Sequence, residues 1–183
     1  MKIQKTKILI VSTVPNMITS ILKGQLRWLS SDFDISIATS PDTERIKQIE
    51  EVEGIRPHIV PMVRQINLLA DLVSIVRMAL LMRKLRPDIV HSYTPKAGLV
   101  AAIAGRILGV PTRIHTFTGL IFPTSTGFRQ RLLIAVDRLI CSCLTHIVPE
   151  GRGVKKDLEA FGITSKPISL IGNGNIAGID LEY

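Results

Sequence analysis

The chain has 183 residues, enough for one sizeable domain and marginal for two, and its 46% hydrophobic and 21% charged content excludes a disulfide-stapled miniprotein and a disordered chain. Aromatics make up only 4%, so the core must be built from Ile, Leu, Val and Ala, which suits strands covered by helices on both faces. The net charge of +8 favours an acidic partner such as nucleic acid, anionic lipid or a phosphorylated metabolite; nucleic acid is disfavoured, because Trp28, Tyr93 and Tyr183 stand far apart in the sequence instead of alternating with the cations.

Lys2, Lys5 and Lys7 lead into a short run, Ile8 to Val11, that is too brief for a signal-peptide core, so export is not expected. Lys7 to Thr13 reads as a buried parallel strand opening into a polar, proline-containing turn. A helix is predicted from about Met17 to Ser30, a strand over Ile35 to Thr39, and a polar helix from Ser40-Pro41-Asp42 through about Val52. Ile55 to Met62 is a third strand, interrupted by Pro57. From Leu68 to Leu85 a long helix is expected, because Leu69, Leu72, Val73, Val76 and Leu80 recur at helical spacing around a stripe of Asp71, Ser74, Arg77 and Lys84. Arg86-Pro87-Asp88 stops it.

Ile89 to His91 is a short buried strand, Ala97 to Leu108 a small-residue helix ended by Gly109-Val110-Pro111, and Arg113 to Phe117 a further strand. An amphipathic helix from Phe128 to Cys143, a strand from Thr145 to Pro149, a helix from Gly151 to Phe161 and a last strand from Pro167 to Ile171 complete the alternation. Cys141 and Cys143, two residues apart in an apolar helical pattern, read as buried free thiols of a reducing compartment. Neither Ile66 to Met82 nor Leu132 to Val148 is uninterrupted enough to span a membrane. The fold class is therefore α/β, a Rossmann-like doubly wound parallel sheet, whose ligands bind beyond the carboxyl ends of the strands.

That rule singles out the loops Ser12 to Asn16, Ser92 to Ala97 and Thr116 to Thr126. The first has no glycine before Gly24, which argues against a dinucleotide-dependent dehydrogenase, and no P-loop, GxSxG or HExxH occurs. His91, Ser92, Tyr93, Thr94, Pro95 and Lys96 open a helix whose amides, with Lys96, could take an anion or a hydroxyl; alternatively Ser92 or Thr94 simply caps the helix. His115, Thr116, Phe117, Thr118 and Gly119 form a second polar edge, in which a lone histidine is more often a satisfied core residue than a catalyst.

The segments Arg86 to Gly98 and Gly109 to Leu120, with the ending Ile171-Gly172-Asn173-Gly174 followed by Gly178-Ile179-Asp180-Leu181, resemble the amino-terminal half of bacterial family 4 glycosyltransferases, end to end. The resemblance implies the first of two Rossmann-like domains in the GT-B architecture, with residues 1–172 as the acceptor-binding domain and 173–183 as the start of the interdomain linker. It implies retention of anomeric configuration, no metal, no cofactor in this domain, and a nucleotide-sugar donor held by a second domain outside this chain. The acceptor would be a glycan or polyprenyl-linked sugar, in lipid-linked, capsular or O-antigen synthesis on the cytoplasmic face of the membrane. Acceptor-binding residues would be Ser12, Thr13, His91, Tyr93, Thr94, Lys96, His115, Thr116, Thr118 and Gly119, converging on one cleft. Thr118 stands where many relatives have histidine, and Ser12, Thr13 and Pro15 where many have a glycine pair. Arg77, Arg83, Lys84 and Arg86 on one helix, with Arg129 and Arg131 on another, would turn a basic face to an anionic membrane surface. The competing readings are a non-catalytic basic module for membrane surfaces or polyanions, supported by charge alone, and more distantly a nucleotide-dependent epimerase or dehydrogenase.

Overall fold

In the computed structural model, which describes residues 5–176, the strands are β1 (Lys7–Ser12), β2 (Asp34–Thr39), β3 (His58–Ile59), β4 (Ile89–Ser92), β5 (Thr112–Phe117) and β6 (His146–Pro149). They pair in parallel in the order β3-β2-β1-β4-β5-β6. The helices are α1 (Pro15–Ser20), α2 (Gln25–Leu29), α3 (Thr43–Glu53), α4 (Leu68–Leu85), α5 (Pro95–Ile107), α6 (Gly127–Cys143) and α7 (Arg152–Ala160). This is the Rossmann-like doubly wound α/β sheet, with the order reversing between β1 and β4.

The continuous apolar run of β1 follows from its central place. Leu9 and Val11 face one core with Met78 and Met82 of α4 and Val100, Ala101 and Ala104 of α5. Ile10 faces the other, with Ile18 of α1, Leu26 of α2 and Ile49 of α3. A third cluster packs Phe117, Ile147, Ile140 and Leu158 between β5, β6, α6 and α7. Cys141 and Cys143 are buried, unlinked thiols within it.

Three expectations from sequence change. The helix predicted over 17–30 is two helices, because Gly24 adopts φ 77° and the buried Glu53 carboxylate accepts hydrogen bonds from Gly24 N (2.6 Å) and Arg27 N (2.9 Å), restarting the helix. The strand predicted over 55–62 shrinks to His58–Ile59, since Pro57 and Pro61 offer no amide to an edge ladder. The strand predicted over 167–171 is reduced to a single bridge between Ile147 and Ile168.

The fourth change concerns orientation. The limits of α4 agree with the pattern, capped by Asn67 through Ala70 N and ended by Arg86 at φ 51°. It is apolar on both sides: Met78 and Met82 are buried in the first core together with the polar Asp71 and Ser74, whereas Leu69, Leu72, Val73, Val76 and Leu80, which the pattern would put inward, are exposed. Gly178 to Leu181 lie outside the described residues.

Candidate functional site

Parallel register brings the ends of β1, β4 and β5 to one edge, with Val11 beside Ser92 and Ser92 beside His115. The loops that leave them are knitted together by hydroxyl groups. Thr13 N donates to Thr94 Oγ1 at 2.8 Å, the two threonine hydroxyls lie 2.6 Å apart, and Ala97 N donates to Thr13 Oγ1 at 3.1 Å. Thr94 occupies the N-cap position of α5 without capping it by its side chain, and Thr13, from the loop after β1, supplies the acceptor instead. The hydroxyl of Thr118 donates to Tyr93 O at 3.2 Å, which ties in the loop after β5. Ser12 is fully buried, its hydroxyl donating to Val14 O. Gly119 is exposed, at φ 149°.

His91 is the centre of the cleft. Its ring stacks on Tyr93 with centroids 4.2 Å apart, Nδ1 is 3.1 Å from the Tyr93 hydroxyl and Nε2 is 2.8 Å from Thr116 Oγ1. Burial lowers its pKa to about 4 and pushes the Tyr93 phenol above its ordinary value, so at neutral pH the ring is uncharged and the phenol keeps its proton. This wall of the cleft is thus a row of neutral donors and acceptors.

His115 lies under the cleft floor, 1% exposed, with Nδ1 2.9 Å from Ser92 Oγ and its ring edge-on to Phe117. Burial first, then the neighbouring His91, takes its pKa down to about 3, against the raising effect of the Ser92 backbone. Its ring is pressed against α5 at Gly98, where an added Cβ would sit 2.6 Å from Cε1. It is a satisfied core histidine that sets the height of α5 over the sheet.

Lys96 does not reach into the cleft as a free cation. Its ammonium donates to both carboxylate oxygens of Asp71 at 2.7 Å, with the two side chains only 10% and 9% exposed. The reason is positional: Lys96 sits in the first turn of α5, which packs along α4, and Asp71 in the first turn of α4 faces it.

The cleft has a second wall that the three loops chosen from sequence omit. A cavity of about 180 Å³ is lined by His91, Tyr93 and Thr116 on one side and by Val148, Pro149 and Glu150 after β6 on the other, and closed by the returning segment at Ile171 and Gly174 to Ile176. Asn175 N donates to Glu150 O at 2.6 Å, and a Cβ on Gly174 would lie 2.8 Å from that oxygen, so glycine is what allows the segment to dock. Strand β6 ends at the same edge as β4 and β5, and this was the available signal for the Glu150 loop. Among the described residues, no three His, Cys, Asp or Glu side chains stand together as a metal site. Arg77, Arg83, Lys84, Arg86, Arg129 and Arg131 are all exposed.

Comparison with known proteins agrees with this architecture. The sequence profile described as glycosyl transferase 4-like domain matches residues 20–174. The chain is 32% identical over 164 residues to the capsular polysaccharide biosynthesis glycosyltransferase CapM of Staphylococcus aureus, covering 88% of this chain and 42% of that protein. It is 26% identical over 156 residues to the UDP-Gal:alpha-D-GlcNAc-diphosphoundecaprenol alpha-1,3-galactosyltransferase of Escherichia coli, covering 84% and 39% respectively. The chain therefore spans about two fifths of the length of these relatives. Among solved structures, UDP-GlcNAc 2-epimerase from Neisseria meningitidis bound to UDP-GlcNAc superposes with a TM-score of 0.68 at 16% identity over 92% of this chain and 47% of that one. MurG of Acinetobacter baumannii gives 0.62 at 11% identity over 97% and 47%. At such identities these two show the fold alone. The profile match extends over most of the chain, and the protein belongs to the glycosyl transferase 4-like family.

Proposed function

We propose that this chain is the acceptor-binding half of a retaining glycosyltransferase of GT-B architecture, acting in the synthesis of capsular or other lipid-linked surface glycans. In this reading residues 1–172 form the acceptor domain, 173–183 begin the crossing to a donor domain, and the nucleotide-sugar is held by that second domain. The acceptor is a glycan or polyprenyl-linked sugar met at the inner face of the cytoplasmic membrane, to which the five exposed arginines and Lys84 are drawn.

The observation that carries the reading is the neutral hydrogen-bonding wall of His91, Tyr93 and Thr116 at the carboxyl edge. Sugar hydroxyls both donate and accept, and the uncharged imidazole donates to one of its two hydroxyl partners and accepts from the other, which leaves one hydroxyl its proton to donate and the other its lone pairs to accept. A phosphate would want a cation or an open helix N-terminus. Here Lys96 is spent on Asp71 and the first turn of α5 is spent on Thr13. His115, neutral and beneath the floor, supports the wall from behind. Positioning supplies much of the rate in a group transfer between two bound substrates, and this wall is only one side of the closed cleft such a transfer needs. The 183 residues on their own therefore fold but transfer no sugar.

The test is to compare the 183-residue chain with the same chain extended by a donor domain. The extended protein should bind a nucleotide-sugar and turn over, and His91→Ala or Thr116→Val in it should raise KM for the acceptor while leaving donor affinity unchanged. Glycosyl transfer by the 183-residue chain, or tight binding of a nucleotide-sugar to it, would overturn the division of labour.

A further inference from the structure

Among the described residues that line the cavity at the carboxyl edge, one side chain carries a formal charge. His91 is uncharged, Tyr93 keeps its phenol proton, and no Lys or Arg stands in the lining. The exception is Glu150. Its backbone is held from both sides: Glu150 N donates to Phe117 O at 2.9 Å, continuing the ladder between β5 and β6, and Glu150 O accepts from Asn175 N at 2.6 Å. Thr116 stands beside Val148 in register, and Glu150, two residues beyond Val148, returns to the same face of the extended chain. The carboxylate itself has no structural duty. The ion pairs of the described residues join Arg56 to Glu50, Lys96 to Asp71 and Lys155 to Glu159, and no side-chain hydrogen bond among them uses Glu150. A half-buried carboxylate is an acceptor without a proton of its own, so it asks its ligand for donors.

We propose that Glu150 sets the charge specificity of the acceptor site: its carboxylate accepts hydrogen bonds from hydroxyl or ammonium groups of the acceptor's terminal sugar and turns away a ring that bears a carboxylate or a phosphate. The proposal rests on the acceptor-binding reading and names the class of sugar that this site takes. The cavity, about 180 Å³, is smaller than the roughly 300–1,000 Å³ of sites that enclose drug-sized ligands, and it suits a single ring. A ring seated on His91 and Thr116 then has Glu150 on its other side, and an anionic substituent cannot be moved out of reach of that charge without lifting the ring off the neutral wall. The direction of the preference is diagnostic. The chain's net charge of +8 favours an anionic sugar wherever it binds, so discrimination against one must come from a local group, and Glu150 is the group in place. The phosphates of a lipid-linked acceptor then stay outside the cavity while its terminal ring enters.

The experiment is a chemical-shift titration of the isotope-labelled 183-residue chain with three methyl glycosides that share one ring and differ in charge: the glucosaminide, the glucoside and the glucuronide. In the wild type all three should shift the amides of His91, Tyr93 and Thr116, and affinity should fall in that order, by about threefold or more at each step. High salt should compress the order, because part of it is coulombic. Glu150→Gln keeps the shape and removes the charge, so the three glycosides should bind alike, with an unchanged melting temperature since the side chain holds nothing in the fold. Glu150→Asp should keep the order. Glu159→Gln removes one charge from the exposed end of α7 and should leave the order as it is in the wild type. If none of the glycosides shifts the His91 wall in the wild type, this proposal and the acceptor-binding reading beneath it are both overturned. Shifts at that wall with the glucuronide bound as tightly as the glucoside would overturn the proposal and leave that reading standing. An order that survives Glu150→Gln, or that Glu159→Gln flattens equally, would do the same.

Discussion

Gly98→Ala puts the packing of the cleft floor to a quantitative test. In a helix interior, Ala ordinarily stabilises over Gly by about 0.5–1 kcal/mol. At this position the added methyl carbon would lie 2.6 Å from His115 Cε1 and 2.9 Å from Nδ1. The ring cannot yield cheaply, being 1% exposed, bonded to Ser92 and set edge-on against Phe117. Overpacking a core costs about 1–3 kcal/mol, so the overpacking cost less the helix gain lies between about 0 and 2.5 kcal/mol, and a contact as close as 2.6 Å puts the variant in the upper part of that range, with the sign reversed. At about 2–4 °C per kcal/mol for a chain of this size, the melting temperature falls by several degrees. The assay is urea unfolding followed by circular dichroism, with an unchanged m-value, beside a thermal melt. In a His115→Ala background the obstacle is gone, and Gly98→Ala should recover its ordinary stabilising effect. A Gly98→Ala protein as stable as the wild type would refute the account of His115 as the spacer between α5 and the sheet.

Other perturbations have equally definite outcomes. Asp71→Ala leaves the Lys96 charge buried without a partner and should cost about 3–5 kcal/mol, read by chemical denaturation, whereas Asp71→Leu/Lys96→Met should be close to neutral. Burial raises the Asp137 carboxyl to about 7, above its unfolded value of 3.8, so the folded state holds the extra proton and stability falls as pH rises from about 4 to about 7. His91 and His115, depressed to about 4 and about 3, act in the opposite sense: the unfolded chain takes up their protons first, and stability falls as pH drops below about 6.5. The two trends offset one another between about 4 and 6.5, and Asp137→Asn should leave a steeper acid limb and a flatter neutral one in a series of melts against pH. Thr118→Ala removes one hydrogen bond to Tyr93 O and should cost about 1 kcal/mol, with a small loss of turnover in the extended protein.

What could be read from sequence and what could not divides along the range of the forces involved. The limits of α4 are legible because local chemistry sets them: the Asn67 cap at one end and Arg86-Pro87 at the other. Its roll is not legible, because the helix is apolar on both sides, and the choice rests on tertiary contacts: the core that takes Met78 and Met82, and Lys96, 25 residues beyond Asp71. The split of the helix predicted over 17–30 likewise depends on Glu53, 29 residues from Gly24. In the cleft, the residues at the ends of β4 and β5 follow from strand alternation. Lys96 is directed elsewhere by a tertiary partner, and the Glu150 wall depends on a returning segment that no local pattern ties to β6.

The paired hydroxyls of Thr13 and Thr94 are 81 residues apart, and this has a consequence for how the cleft comes into being. Strands β1 and β2 are close in sequence and pair over six residues in register, so they can meet early. The pairing of β1 with β4 must first close a loop of about eighty residues, and long closures come late and slowly. The half of the sheet that carries no ligand wall is thus able to assemble while the chain is still being made. The cleft appears only once β4 has arrived beside β1, and a nascent chain that has not yet delivered Thr94 has no cleft at all.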